Sequence, residues 1–121
     1  MAKILVAEDR AATRAKLQEA LQRGGHTVET ARNGVEALDR YIAVRPDLVI
    51  LDLFMPRMNG FDALLHLRRL FPDARVIALT ALSQISQDAL EVAELLGADR
   101  AVPKTRNPYH LLDTVQEVLA A

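Results

Sequence analysis

Leu48-Val49-Ile50-Leu51-Asp52-Leu53-Phe54-Met55-Pro56-Arg57-Met58-Asn59-Gly60 is the stretch that decides the fold. Leu48 to Leu51 are apolar and half β-branched, the pattern of a strand buried on both faces of a parallel sheet. The strand stops on a carboxylate, Asp52. Pro56, Asn59 and Gly60 then interrupt regular structure. A helix is expected from Gly60 or Phe61 to about Leu70, burying Phe61, Leu64, Leu65 and Leu67 or Leu70. An acid at the carboxyl edge of a buried strand loses hydration, which is unfavourable unless something there uses the charge. Asp can also cap a helix or start a turn, but Asn59 is placed for that task. Asp52 is therefore the first candidate functional residue.

The flanking chain repeats the pattern. Lys3 to Ala7 reads as another buried strand and also ends in acids, Glu8 and Asp9. A helix follows from about Ala12 to Gln22, stopped by Gly24-Gly25. Thr27 to Ala31 is more polar and belongs at a sheet edge. Asn33 and Glu36 have capping-box spacing for a helix that carries Ala37, Leu38, Tyr41 and Ile42 on one side and ends before Pro46. Beyond the central stretch, Arg75 to Thr80 forms a strand ending on a hydroxyl. Ser83 or Ser86 caps a helix through Leu96 whose inward stripe is Ile85, Ala89, Ala93 and Leu96. Leu90 and Leu95 lie off that stripe, as an exposed apolar patch or as peripheral core. Arg100 to Pro103 is a weak last strand suited to an edge, because Pro103 cannot donate to a ladder. Asn107-Pro108 opens a final helix with Leu111, Leu112, Val115, Val118 and Leu119 inward. Five strands alternating with five helices call for a parallel sheet covered on both faces.

Composition narrows the function. The 121 residues suit one domain with a substantial core, and half of them are hydrophobic. A net charge of −1 gives no field that draws the chain to nucleic acid or to a membrane surface. With no cysteine there is neither disulfide nor thiolate metal site. Strand pattern from Lys3 onward leaves no room for a signal peptide, and apolar runs break well short of ~18 residues, so a cytoplasmic chain is expected. His26, His66 and His110 lack ligand spacing, and Arg68-Arg69 reads as a solvated helix face.

In an open parallel sheet, ligands bind beyond the carboxyl ends of the strands, at the point where strand order reverses. Those ends carry Glu8-Asp9, Asp52, Thr80 and, just beyond the last strand, Lys104. Two carboxylates about 5 Å apart repel by roughly 3 kcal/mol at an effective dielectric of 20, so three together take up protons or bind a cation. Oxygen ligands without histidine or cysteine favour Mg²⁺, with Mn²⁺ as a substitute. A carboxylate can also attack phosphorus to give an aspartyl phosphate, and such a transfer needs a metal, a cation and a hydroxyl or amide donor around the phosphoryl oxygens. Glu8 and Asp9 can hold the metal, Lys104 supplies the ammonium and Thr80 the hydroxyl.

On these residues the chain resembles, end to end, the receiver domain of bacterial two-component response regulators. The motifs are Glu8-Asp9, Asp52 to Gly60, Thr80-Ala81, and Lys104 after Gly97-Ala98-Asp99. The resemblance implies a flavodoxin-like, doubly wound (βα)5 sheet of order 2-1-3-4-5 with helices on both faces. It implies that Asp52 is the phosphoacceptor, that Glu8, Asp9, Asp52 and the Phe54 carbonyl surround Mg²⁺, and that Thr80 and Lys104 bind the phosphoryl oxygens. The donor would be a sensor histidine kinase or a phosphotransfer domain, acting on a signalling domain that is not a multiple-turnover enzyme. The output would be a downstream protein or an output domain outside residues 1–121, with no direct nucleic-acid or membrane contact. The side chains of Phe54 and Leu82 would flank the water that hydrolyses the phosphate; both are apolar, so slow loss is expected. Phosphorylation would pull Thr80 inward and reposition the following loop and helix.

Two positions depart from the family. The usual aromatic switch residue three positions before the lysine is Ala101, and the usual proline after it is Thr105. A cis peptide before a non-proline residue costs about 2.5–4 kcal/mol, so Lys104–Thr105 is expected to be trans. Three rivals fit less well. A nucleotide binder needs a Gly- or Ser/Thr-rich loop where this chain has Glu8-Asp9-Arg10. A haloacid-dehalogenase-type phosphatase needs an acid at Phe54. A phosphorylation-independent pseudo-receiver has no use for the intact acid, hydroxyl and ammonium set.

Overall fold

The computed structural model describes residues 1–81, 87–105 and 107–121. The strands are β1 (Lys3–Ala7), β2 (Thr27–Ala31), β3 (Leu48–Asp52), β4 (Val76–Thr80) and β5 (Arg100–Pro103). The helices are α1 (Ala11–Arg23), α2 (Gly34–Val44), α3 (Gly60–Leu70), α4 (Gln87–Leu95) and α5 (Leu111–Ala120), the last preceded by a 3₁₀ turn at Pro108–His110. All strand pairs are parallel and the order is β2-β1-β3-β4-β5, which puts the polar Thr27–Ala31 strand at one edge and the proline-bearing strand at the other. Ser83, Ser86, Ile85 and Leu82 lie outside the described residues. Among those described, no helix is long and apolar enough to cross a membrane.

Alternation along the strands divides the core in two. Leu5 and Ala7, Val49 and Leu51, and Val76 and Ala78 point to one face, where α2, α3 and α4 cover them with Tyr41, Leu64, Leu67 and Ala93. Ile4 and Val6, Leu48 and Ile50, and Ile77 and Leu79 point to the other, beneath Leu17 and Leu21 of α1 and Leu111, Val115 and Val118 of α5. Each buried Val, Leu or Ile contributes about 1.5–3 kcal/mol of transfer free energy, so a continuous apolar run is what a strand with helices on both faces requires.

Several helical details differ from the sequence expectation. In α3, Leu64 and Leu67 are buried as expected, but Phe61 and Leu65 are only half-buried and Ala63 is buried with them; in α2, Ile42 is 54% exposed. The inward stripe of each helix is narrower than its apolar pattern. Asn33 Oδ1 accepts from the Glu36 N–H at 2.9 Å, but Glu36 reaches back to the Arg32 N–H at 3.2 Å, one residue further than a capping box. Leu90 is half-buried, whereas Leu95 is 85% exposed. No peptide bond among the described residues is cis, so Lys104–Thr105 is trans as expected. His26 Nδ1 accepts the Ala2 N–H at 3.2 Å, and burial together with the nearby N-terminal ammonium lowers its pKa.

Candidate functional site

The same alternation that divides the core builds the site. Glu8 follows Ile4 and Val6, Asp52 follows Leu48 and Ile50, and Lys104 follows Val102, so all three continue the series that faces α1 and α5. Thr80 follows Val76 and Ala78 and belongs to the opposite series. Parallel pairing then brings β1, β3 and β4 to a common edge, with Ala7 beside Leu51 and Asp52 beside Leu79. Glu8 and Asp52 are 1% and 3% exposed, Thr80 is fully buried, and Asp9 is half-buried. Carboxylate oxygens of Glu8, Asp9 and Asp52 lie within 4.8 Å of one another.

Lys104 Nζ donates to Asp52 Oδ2 at 3.2 Å and also contacts Glu8 Oε1. One ammonium against three carboxylates leaves a formal charge of −2 on the cluster, which a divalent cation matches. The backbone supplies further donors: Phe54 N–H reaches Asp52 Oδ1 at 3.3 Å, and Arg10 N–H reaches Glu8 Oε2 at 3.2 Å. Lys104 is itself tied to the neighbouring strand, its N–H donating to the Thr80 carbonyl at 2.7 Å. Thr80 Oγ1 is buried without a hydrogen-bond partner among the described residues. A buried polar atom without a partner is costly in a native structure unless a ligand completes it.

The loop after Asp52 is pinned at both ends. Leu53 N–H continues the ladder to the Leu79 carbonyl at 2.9 Å, and Gly60 N–H returns to the Leu53 carbonyl at 3.0 Å. Asn59 caps α3 by accepting the Asp62 N–H at 3.0 Å, as its sequence position suggests. A Cβ on Gly60 would stand 2.1 Å from the Asp52 carbonyl oxygen and 2.5 Å from Leu53 Cα, so the start of α3 packs directly on the backbone of the acidic residue. Gly60→Ala is therefore expected to lower stability by about 3 kcal/mol or to displace the Asp52 loop. Urea unfolding of the variant checks this, and an unchanged midpoint would contradict the packing.

Arg14 and the contact between Phe54 and Phe61 were not legible in the sequence. Arg14 NH1 donates to the Glu8 carbonyl at 3.0 Å and so braces the acidic loop from α1. Phe54, 37% exposed, sets its ring edge-on to Phe61 at 5.7 Å between centroids, which fixes its direction beside Asp52. Ala101, beside Ala78 in the β4–β5 register, is half-buried against the α4 face of the core. Leu82, the other expected neighbour of the phosphate, lies outside the described residues.

Comparison with known proteins gives a consistent picture. The pattern defining the response regulator receiver domain matches residues 4–116. Response regulator MprA of Mycobacterium avium is 41% identical over 118 residues, which cover 97% of this chain and 50% of that protein. The chain thus spans about half the length of the curated relatives it matches. Among solved structures, response regulator TrrA of Thermotoga maritima in complex with Mg²⁺-BeF superposes with a TM-score of 0.87 at 35% identity, covering 98% of this chain and 99% of that one. CheY from the Borrelia burgdorferi CheX–CheY–BeF₃–Mg²⁺ complex gives a TM-score of 0.89 at 27% identity, covering 96% of this chain and 87% of that one.

Proposed function

We propose, from the premise that this chain belongs to the response regulator receiver domain family, that Asp52 is its phosphoryl acceptor and that residues beyond β4 transmit the change. The observation that carries the reading is a buried carboxylate with an ammonium at 3.2 Å and a buried, unpartnered hydroxyl at the end of the neighbouring strand. An Asp52 oxygen attacks phosphorus in line, forming the O–P bond as the N–P bond of a phosphohistidine breaks. The leaving imidazole takes up a proton from solvent. Lys104 holds an oxygen of the transferred group and Thr80 Oγ1 donates to another. Such donors act on charge that is already placed in a water-poor site, so little reorganisation is needed.

Mg²⁺ fits the donor set, because the clustered ligands are all carboxylate oxygens and, among the described residues, no histidine or cysteine joins the cluster. Glu8, Asp9 and Asp52 would hold it, with the Phe54 carbonyl; Mn²⁺ has similar preferences. When bound, the ion neutralises part of the charge on the phosphoryl oxygens. An ion that binds only the folded state stabilises it, by about 2.7 kcal/mol at a hundredfold excess over Kd. Asp9→Ala is expected to remove most of the rise in melting temperature with Mg²⁺; equal shifts in variant and wild type would overturn the ligand assignment.

The donor in this reading is a sensor histidine kinase or phosphotransfer domain in the cytoplasm. Residues 1–121 act as one receiver, a signalling domain and not a multiple-turnover enzyme, with the output held by a partner or by further chain. With Ala101 in place of an aromatic ring, the response centres on the loop after Thr80 and on α4. Phe54, held by Phe61, shields the phosphate from attacking water in this reading, and the family pattern gives Leu82 the same role. Phe54→Asn and Leu82→Glu should speed decay of the phosphorylated protein by about tenfold, equivalent to 1.4 kcal/mol in the barrier. Unchanged decay in both would remove the shielding role. The overall reading is tested by intact mass: incubation with a small phosphodonor should add one phosphoryl group with Mg²⁺ and none with a chelator. Equal uptake in both, or none in either, contradicts it.

A further inference from the structure

A second concavity lies on the face of the sheet shared by α1 and α5, next to the acidic cluster and meeting it at Lys104. It is a half-open cleft of about 210 Å³. Its floor is apolar and buried, formed by Leu17, Leu79 and Leu111 with half-buried Val102. Its rim carries exposed Lys16, His110 and Thr105, with Thr13 and Thr114 on the walls. No carboxylate lines it among the described residues, although acidic and basic side chains are almost balanced over the whole chain. The volume exceeds the roughly 150 Å³ that accommodates benzene in an apolar cavity. An apolar floor with a few polar groups at one end is the usual composition of a small-molecule site, in which the floor supplies affinity and the rim orientation.

We propose that this α1–α5 pocket binds a small amphiphilic carboxylate, about one aromatic ring in size, with its ring on Leu17, Leu79 and Leu111 and its carboxylate between Lys16 and His110. Charge complementarity selects the anion. The buried leucines select against a short carboxylate such as acetate, which has nothing to place on them. The proposal goes beyond phosphoryl acceptance and does not depend on it. Lys104 nevertheless also lines the pocket, so the two sites share one residue.

Amide chemical shifts during titration of the whole chain with benzoate, benzamide and acetate test the site. Benzoate should give saturable shifts concentrated at Leu17, Val102 and Leu111, with an affinity about tenfold above that of the neutral amide, since a charge-assisted hydrogen bond is roughly twice as strong as a neutral one. Acetate should not saturate. Lys16→Gln combined with His110→Gln should bring benzoate and benzamide to equal affinity, and Thr114→Leu, which fills the wall, should weaken both ligands. Scattered or unsaturable shifts, equal binding of benzoate and benzamide by the wild type, or acetate matching benzoate would overturn the proposal.

Discussion

Asp52→Asn should reduce phosphoryl uptake from any donor to background, a loss on the order of 10⁴-fold or more, because it removes the proposed nucleophile and not merely a stabilising contact. The substitution keeps the shape of the side chain, and an amide oxygen can still accept the Phe54 N–H that Asp52 Oδ1 accepts at 3.3 Å. Its effect on folding is a balance. One carboxylate fewer relieves about 3 kcal/mol of repulsion at an effective dielectric of 20, while the ion pair with Lys104 is lost. The melting temperature should therefore stay close to that of the wild type. Uptake by a well-folded Asp52→Asn protein would move the acceptor elsewhere.

Lys104→Gln should show a second large effect of a different kind. Its ammonium contacts two carboxylates that are almost completely buried, and removing one partner of such an arrangement costs roughly 3–5 kcal/mol, because the remaining charges lose their compensation. Transfer should slow by about 10²-fold through loss of one preorganised donor to the phosphoryl oxygens. The two deficits respond differently to Mg²⁺. In the proposed site the ion and the ammonium neutralise the same carboxylates, so saturating Mg²⁺ should recover more stability in Lys104→Gln than it adds to the wild type, while transfer stays slow. Thermal melts with and without Mg²⁺, run beside phosphorylation time courses, separate these outcomes. Equal gains from Mg²⁺ in both proteins would show that Lys104 and the cation site are independent.

Much of this architecture is legible from residue pattern. The strand limits Lys3–Ala7 and Leu48–Asp52 follow from apolar runs that end on acids, Thr27–Ala31 and Arg100–Pro103 from short mixed runs bounded by breakers, and β4 begins one residue later than Arg75. The acids, the hydroxyl and the lysine could be gathered because each sits at the carboxyl end of its strand, and a parallel sheet brings those ends together. Side-chain reach was less legible. Arg14 bracing the Glu8 carbonyl depends on the path of the loop before α1, and the Phe54–Phe61 contact depends on how that loop returns to α3. Ile42 proved exposed and Leu65 only half-buried because hydrophobicity marks what can be buried, whereas the neighbouring elements decide how wide a stripe is covered. The α1–α5 pocket likewise has no sequence signature, since it arises from the spacing between packed helices.

The central claim is that the phosphoryl group resides on Asp52. Borohydride reduction of the freshly phosphorylated protein, followed by peptide mass mapping, tests it most directly, because acyl phosphates are trapped as the corresponding alcohol at the residue that carried them. The account predicts a single reduced residue, at Asp52, in the peptide containing Leu51 and Leu53. Trapping at Glu8 or Asp9, or a stable modification that resists reduction, would contradict it.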